Sequence, residues 1–335
     1  MTFSEALRAF SSGRIEESLF HPETGFRLPD KSLLRGPEAV CAHLRSHPEL
    51  FEGLLQISPD SSVTVTFRNA SGDFVKVFSF GDRIGKIVHF VPDEIRQRIK
   101  LTLEYDGTDY YGFQRQKEDR TVQGELETAL AVVNGGPTPV TGASRTDAGV
   151  HALGQVAHFD THRDFSEEKW EMILNHALPK DIAVRKVEKV HPLFHSRYDV
   201  LRKEYRYVLR LGSPSALNRN REWAVPGPLD LSRLADELKK VEGTHDFASF
   251  CKGENDDTVR TIFETRMEAD QGRLLLTFVG DGFLHNMIRL IVGTIVDIAS
   301  GKIEDDLSRI LSEKSRRSTR SLAPARGLYL VRIDY

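Results

Sequence analysis

Hydrophobic positions in the first 95 residues follow a helical spacing and then an alternating one. Helices are predicted over residues 4–10 and 38–44, the second directly after Pro37, which suits a first helical turn. Stretches rich in Val, Phe and Ile, separated by Asn, Gly and Asp, predict three strands at residues 62–67, 74–80 and 84–91. This segment is therefore predicted to be a small α+β domain, with helices packed on an antiparallel meander.

The pattern changes after Pro92, and a new strand begins at Arg98, so a domain boundary is predicted near residue 95. From there the order strand, helix, strand, strand, helix, strand occurs twice. The first set is predicted at residues 99–105, 122–133, 139–142, 155–160, 167–178 and 182–190, and the second at 204–211, 231–241, 259–269, 273–279, 283–299 and 328–334.

A repeated βαββαβ order predicts an α+β fold of two ferredoxin-like halves, residues 96–202 and 203–335. Their strands should form one long antiparallel sheet with a central cleft, in which an extended ligand can lie. A short extra helix at 304–311 and a basic loop are predicted before the last strand. The basic residues of that loop are Lys314, Arg316, Arg317 and Arg320.

Composition excludes several classes of protein. Of the 335 residues, 39% are hydrophobic and 28% are charged, which is too apolar for a disordered chain and lacks the repeats of collagen. The formal net charge of -3 comes from residues 1–95, with 10 Lys or Arg against 13 Asp or Glu, while the remainder is balanced. Two distant cysteines, Cys41 and Cys251, suit reduced thiols. With no export signal or membrane span in the pattern, we expect a cytoplasmic protein.

The loop GASRTDAGVH, residues 142–151, is the first candidate for chemistry. Small residues let its backbone approach a ligand closely, and Asp147 is its only carboxylate. An aspartate at such a place can equally form an Asx-turn with its own backbone. Arg145 can pair with this carboxylate, hold a phosphate, or fill the place of a displaced base, and spacing alone does not decide between these roles.

Arg289 lies in an almost entirely apolar helical stretch, where a guanidinium needs an anionic partner unless its stem reaches the surface. A pairing with Asp147 would satisfy that need. Strand alternation places Tyr205 on one face with Tyr207 and Leu209. Tyrosines there are ordinary core residues, but an aromatic ring beside a groove can also stack on an unpaired base.

A metal site is not predicted. His158, Asp160 and His162 share one strand face, but paired histidines at strand spacing are common and no fourth ligand is evident. His245 is interpreted as a structural hydrogen bonder that follows a helix ended by Gly243. No phosphate-binding or dinucleotide fingerprint occurs, so nucleotide hydrolysis and dinucleotide redox chemistry lose their usual support.

Basic residues are clustered despite the balanced total. Phosphate-backbone contacts would explain such clusters, as would a mixed solvated surface, and only the first predicts binding that weakens with salt. The clusters are Arg115, Lys117 and Arg120; Arg202, Lys203, Arg206 and Arg210; Arg219 and Arg221; and residues 314–320.

Eight motifs from about residue 98 onward resemble the TruA-type tRNA pseudouridine synthases, in the family's order. They are YDGTDYYGFQ (105–114), TVQGELE (121–127), SRTDAGVH (144–151), FHSR (194–197), KEYRY (203–207), GTHDF (243–247), FLHNMIR (283–289) and APARGLY (323–329). The resemblance implies that Asp147 is catalytic, that Arg289 pairs with it, that Tyr205 stacks on the target base, and that Arg145 holds the place of the flipped-out uridine.

The resemblance further implies isomerisation of uridine to pseudouridine in the anticodon arm of tRNA, at about positions 38 to 40, by a homodimer without cofactor or metal. Asp147 would act as a nucleophile at C1′ or as a base, alternatives that the sequence does not separate. Two positions depart from the family, which usually has Gly at Ser144 and Trp at Phe113. The first 95 residues resemble a shortened SnoaL-like, cystatin-type cone.

Two other functions remain open on the sequence. A non-catalytic tRNA-binding or folding module could use the same sheets and would tolerate Asp147→Ala. A metal-dependent hydrolase built on His158, Asp160 and His162 would be inactivated by a chelator. The first leaves Arg289 unexplained and the second leaves the 142–151 loop unexplained. Residues 1–95 are expected to be dispensable for chemistry and to contact RNA or a partner.

Overall fold

Two compact units make up the chain, Met1–Arg96 and Gln97–Tyr335. The computed structural model describes residues 6, 9–10, 15–27, 33–51, 55–56, 64–68, 74–80, 83–90, 97–192, 194–252, 257–315, 319 and 321–335. Some predicted features lie wholly or partly outside these residues: the helix at 4–10, the start of the strand at 62–67, the boundary near 95, and Arg316, Arg317 and Arg320.

The described residues of the first unit include a six-stranded sheet and helix α1 (Pro37–Ser46), and residues 6, 9 and 10 are also helical. Its strands lie in the order β2-β1-β6-β5-β4-β3. They are β1 (Phe20–Arg27), β2 (Leu33–Arg35), β3 (Leu55–Gln56), β4 (Thr64–Arg68), β5 (Phe74–Phe80) and β6 (Arg83–Phe90). As predicted, the last three form an antiparallel meander. The first three were not predicted, since Pro22 and Gly25 interrupt the alternation of β1, and β2 and β3 are only three and two residues long.

A separate hydrophobic core holds the first unit together. Helix α1 contributes Val40, Cys41 and Leu44, one apolar stripe of the helix, and Phe10, Phe20 and Ile84 are also fully buried. Burial of such side chains stabilises each by about 1.5–3 kcal/mol relative to exposure. The unit therefore has its own source of stability.

The second unit is built on a ten-stranded sheet in the order β10-β7-β9-β16-β11-β15-β14-β13, with β8 on β9 and β12 on β11. The strands are β7 (Gln97–Tyr105), β8 (Thr141–Gly142), β9 (His151–Thr161), β10 (Ile182–Val190), β11 (Arg202–Leu211), β12 (Trp223–Val225), β13 (Gly243–Asp246), β14 (Val259–Asp270), β15 (Arg273–Gly280) and β16 (Leu328–Asp334). The helices are α2 (Val122–Asn134), α3 (Glu167–Ala177), α4 (Leu231–Lys239), α5 (Met287–Ala299) and α6 (Leu307–Ser312).

The predicted α+β class and the long, mostly antiparallel sheet are confirmed. In each half the last strand lies beside the first, followed by the third and the second, as in a ferredoxin-like fold. The halves join where β9 and β16 run parallel, with His151 opposite Tyr329 and Ala152 opposite Leu330. This junction lies at the start of β9, directly after the 142–151 loop.

The structure of this unit differs locally from the prediction at several positions. Helix α5 begins at Met287 instead of residue 283, because Asn286 has a left-handed backbone (φ 61°) that a helix cannot include. Strand β9 starts at His151, four residues early. The short strands β12 and β13 carry too few alternating positions to be recognised. The prediction that Gly243 ends a helix is wrong, because α4 ends at Lys239 and Gly243 begins β13, the strand that contains His245.

Nearly every residue of α5 is buried, including its glycine, Gly293. No helix among the described residues is long and apolar enough to cross a membrane.

A Cβ atom at Gly293 would lie 2.4 Å from the backbone oxygen of Ser321 and 3.1 Å from the amide nitrogen of Ala323. The helix and the 321–323 segment therefore touch through backbone.

We predict that Gly293→Ala destabilises the second unit by about 1–3 kcal/mol, because the added methyl pushes the 321–323 segment away from α5. Urea unfolding followed by tryptophan fluorescence measures this, since both tryptophans, Trp170 and Trp223, belong to this unit. Gly136→Ala is the control, because nothing lies within 4 Å of its added Cβ. Equal stability of the two variants would contradict the close approach.

Candidate active site

The 142–151 loop connects β8 to β9 and is held by the loop that precedes α2. The amide of Phe113 donates to the backbone oxygen of Thr146 at 3.1 Å, and the amide of Gly149 donates to that of Tyr110 at 3.2 Å. Gly112 has φ 92°, and a Cβ there would lie 2.4 Å from the Thr146 oxygen. The loop is therefore clamped by backbone contacts before any side chain is considered.

Asp147 and Arg289, 142 residues apart in sequence, meet in an ion pair. Arg289 Nη1 lies 3.0 Å from Asp147 Oδ2, and the two side chains are 13% and 22% exposed respectively. The pair bridges the two halves, since Asp147 belongs to the first half and Arg289 to the first turn of α5. A carboxylate is thus fixed at the junction of the halves while one of its edges stays open to solvent.

Two further acceptors complete the surroundings of Arg289. Its Nη1 also donates to Asn286 Oδ1 at 2.7 Å, and its Nε donates to the backbone oxygen of Ala323 at 2.9 Å. The left-handed Asn286 that delays the start of α5 therefore supplies one of these acceptors. A guanidinium with three fixed partners holds its carboxylate in one orientation.

Tyr205 is buried, with 5% of its surface exposed. Its hydroxyl lies 2.8 Å from Ser144 Oγ, and its ring packs against the ring of Phe283 at 5.2 Å between centroids and 77°. Burial raises the pKa of its phenol to about 12, and the negative charge of Asp147 acts in the same direction. Tyr205 therefore contacts the loop that carries Asp147, through Ser144.

Arg145 is exposed, unlike the other three predicted site residues. Within the described part of the chain its side chain has no hydrogen bond or ion pair with protein. The structure thus does not pair Arg145 with Asp147, because Arg289 occupies that position. This leaves the guanidinium available to an external ligand.

Several nearby groups were not predicted as site residues. His285 Nε2 lies 3.6 Å from Asp147 Oδ1, and Lys203 Nζ donates to the backbone oxygen of Ala143 at 3.1 Å and to Ser144 Oγ at 3.3 Å. Strand alternation places Lys203 on the same face as Tyr205, so the sequence pattern could have indicated that Lys203 lies near the site. No sequence pattern indicated His285, because its distance from Asp147 depends on where α5 begins.

His151 fastens the end of the loop. The amide of Gly107 donates to its Nδ1 at 3.0 Å, and its Nε2 lies 2.8 Å from the backbone oxygen of Asn220. This geometry fits a neutral ring with its proton on Nε2. Burial lowers the pKa of His151, against the opposing effect of the Asp106 carboxylate. The neutral form is therefore the one that the fold uses.

The basic clusters are less available to anions than their number suggests, because most of their described members pair with carboxylates. The pairs are Arg115 with Glu127, Arg120 with Glu125 and Asp181, Arg202 with Asp334, Arg206 with Glu204, Arg210 with Glu222, Arg221 with Asp106, and Lys314 with Asp246. Several, such as Arg115 at 68% exposed, remain accessible.

Two residues of the possible metal cluster, His158 and Asp160, make structural contacts instead. His158 is buried with its Nδ1 at 2.8 Å from Ser196 Oγ, and Asp160 accepts two hydrogen bonds from Arg98, both at 2.7 Å. His162 lies beyond the end of β9. The described residues contain no group of three or more His, Cys, Asp or Glu side chains placed to hold a metal ion. His245 bonds the backbone oxygen of Glu242 at 2.8 Å, a structural contact.

Comparison with known proteins adds a family similarity. A family model described as tRNA pseudouridine synthase matches residues 102–199 and 238–335. The tRNA pseudouridine synthase A of Geobacillus sp. (strain WCH70) is 45% identical over 244 residues, which cover 71% of this chain and 98% of that protein. The protein of the same name from Anoxybacillus flavithermus is 42% identical over 243 residues, covering 71% and 99%. The matched length is close to that of the second unit.

Solved structures give a weaker similarity. An NTF2-like protein of unknown function from Cytophaga hutchinsonii is 13% identical, with a TM-score of 0.22 and coverage of 26% of this chain and 93% of that one. A putative polyketide cyclase from Xanthomonas campestris is 10% identical, with a TM-score of 0.21 and coverage of 27% and 90%. Such TM-scores do not establish a shared fold, so the SnoaL-like cone stays a prediction for residues 1–95.

We predict that His151 makes the second unit less stable in acid. Its lowered folded pKa means that its contribution is fully present above the unfolded pKa of 6.5 and is lost as pH falls through the folded pKa, by roughly 1.4 kcal/mol per pH unit between the two values. Tryptophan-monitored urea unfolding between pH 7.5 and 5.5 should show a shallower pH dependence in His151→Gln, whereas removing the exposed histidine in His176→Gln should leave it unchanged. Identical slopes in wild type and His151→Gln would refute this.

Proposed function

This chain belongs to the tRNA pseudouridine synthase family, and from that premise we propose that Asp147, fixed by Arg289, is the catalytic carboxylate that isomerises uridine in the anticodon arm of tRNA. The observation that carries this proposal is the 3.0 Å ion pair at the junction of the halves. Asp147 is partly exposed, and the loop that carries it contacts the buried Tyr205 through Ser144. The proposed reaction requires a carboxylate and a stacking ring.

The reaction is an isomerisation, so every atom of uridine is retained. The bond between N1 and C1′ breaks, the uracil rotates, and a bond forms between C5 and C1′. C5 then loses its hydrogen as a proton, and N1 gains one. In either route the carboxylate of Asp147 lies beside the ribose: it attacks C1′ and is displaced when C5 bonds to C1′, or it removes a sugar proton and returns it as the C5–C1′ bond forms.

Arg289 is assigned the role of orienting Asp147. A partly buried carboxylate is costly unless an opposite charge and hydrogen bonds accompany it. Arg289 provides both through Nη1, and its own position is fixed by Asn286 and Ala323. The carboxylate is thus set in place before the substrate arrives, which lowers the barrier by avoiding reorganisation.

A uridine in a helical stem is out of reach, so it must be extruded. Tyr205 is proposed to stack on the extruded uracil, a contact of about 1–3 kcal/mol per base. Only 5% of Tyr205 is exposed, and the ring of Phe283 packs against it in a T-shaped contact, so the base is proposed to enter at Phe283. Arg145, exposed and without a protein partner in the described region, is proposed to fill the gap in the stem.

The remaining assignments rest on the family resemblance. We propose that the protein acts in the cytoplasm as a homodimer that binds the anticodon arm by shape, with exposed basic residues such as Arg115 contacting phosphates. Sedimentation measures the oligomeric state. Since most described members of the basic clusters pair with carboxylates, the fall of tRNA affinity with salt should be modest.

We predict that Asp147→Ala abolishes isomerisation while tRNA still binds, because it removes the only group that attacks or deprotonates the ribose. The measurement is tritium release from tRNA labelled at C5 of uridine, with RNA binding matched. The rate should fall by about 10³-fold or more. Asp236→Ala, which changes an exposed aspartate of α4, is the control and should keep the wild-type rate. No release by either the wild type or Asp147→Ala, with tRNA bound, would indicate a binding module instead.

We also predict that residues 97–335 alone release tritium at nearly the full-chain rate. The two units have separate cores, and the relatives are matched over almost their whole length by about as many residues as the second unit contains. Circular dichroism and tryptophan fluorescence check that the fragment folds. A folded fragment that fails to isomerise tRNA would mean that the first unit takes part in the chemistry.

A further inference from the structure

The hydroxyl of Ser144 connects two side chains of β11 to the loop that carries Asp147. Lys203 Nζ donates to Ser144 Oγ at 3.3 Å, and the hydroxyl of Tyr205 lies 2.8 Å from the same oxygen. Ser144 is thus the middle member of a hydrogen-bonded chain, Lys203 to Ser144 to Tyr205. The mechanism above uses Tyr205 but assigns nothing to Ser144 or Lys203.

The position of Ser144 is fixed by its backbone. Its amide donates to Gln155 Oε1 at 3.3 Å, and its carbonyl oxygen accepts from Gln155 Nε2 at 2.7 Å. Gln155 is fully buried in β9. Since one rigid amide group holds both backbone groups of Ser144, the hydroxyl projects from a defined point.

Lys203 has no carboxylate partner among the described residues. Its Nζ donates only to the backbone oxygen of Ala143 and to Ser144 Oγ. Burial lowers the pKa of its ammonium to about 8, and the charges of Arg197 and Arg260 act in the same direction. A partly buried ammonium with two neutral acceptors depends on both of them.

The phenol of Tyr205 depends on Ser144 in the same way. Ser144 Oγ is the hydrogen-bond partner that the described structure gives to this buried hydroxyl. The ring of Tyr205 packs against the ring of Phe283, where the target base is proposed to enter. If the serine hydroxyl is removed, both the phenol and the ammonium lose a partner, and the phenol keeps none of the hydrogen bonds that the described structure gives it.

We propose that Ser144 is a positioning residue that, together with Lys203, anchors the hydroxyl of Tyr205 and so sets the plane on which the target uracil stacks. One loop then carries both the reacting carboxylate, Asp147, and the anchor of the stacking ring three residues earlier. Their relative placement is fixed by the loop itself. This inference rests on the proposed function, since it concerns how the same site holds its base.

The test is a double-mutant cycle of single-turnover tritium release at saturating tRNA. Ser144→Ala and Tyr205→Phe should each lower the rate about tenfold, a loss equal to one hydrogen bond to a buried group, with tRNA affinity unchanged. The double variant should be no slower than Tyr205→Phe, because Ser144 has no phenol left to hold. Ser144→Thr, which keeps a hydroxyl, should recover most of the wild-type rate.

Rate losses that multiply in the double variant would overturn the inference, since a serine that merely stabilises the loop acts equally in both backgrounds. An unchanged rate in Ser144→Ala would overturn it as well. Ser232→Ala, at an exposed serine of α4, is the matched control and should behave as wild type. Absence of tritium release in the wild type would refute the proposed function and this inference with it, whereas a normal wild-type rate with multiplied losses refutes the inference alone.

Discussion

A guanidinium in an apolar helix needs hydrogen-bond acceptors, and the acceptors of Arg289 bring three segments of the second unit together. Its three partners come from three places: Asp147 in the 142–151 loop, Asn286 before α5, and Ala323 before β16. All three must reach one point for the charge to be compensated. The parallel ladder between the two ferredoxin-like halves has two residue pairs among the described residues, and this ion pair adds a further contact between the halves.

Contacts other than the ion pair also hold the site in place. The loop with Asp147 is held by backbone bonds to residues 110–113, by Gln155 beneath Ser144, and by the neutral His151 at its end. A reaction that moves a base about a fixed ribose gains from groups that are already in place. Membership of the tRNA pseudouridine synthase family indicates the chemistry, and a carboxylate fixed in advance is what the role proposed for Asp147 requires.

The structure also changes the interpretation of charge. In sequence, the basic clusters suggested a broad phosphate-binding surface, but in the fold most of their described members face carboxylates from distant segments, such as Arg221 with Asp106 and Arg202 with Asp334. Arg145 differs, being exposed and without a protein partner in the described region. Sequence clustering records neighbours along the chain, whereas availability to RNA depends on neighbours in space.

The sequence alone predicted the repeated βαββαβ order and indicated the residues proposed for catalysis. It could do so because alternation, helical spacing and the 142–151 motif are local properties of the chain. Local spacing could also indicate that Arg289 needs an anion. Only the tertiary structure decided where α5 begins, which placed Asn286 against Arg289 and His285 beside the Asp147 carboxylate, and which side chains meet Ser144. Those contacts join residues from separate strands and loops, and their distances follow from the packing of the two halves, which no local pattern encodes.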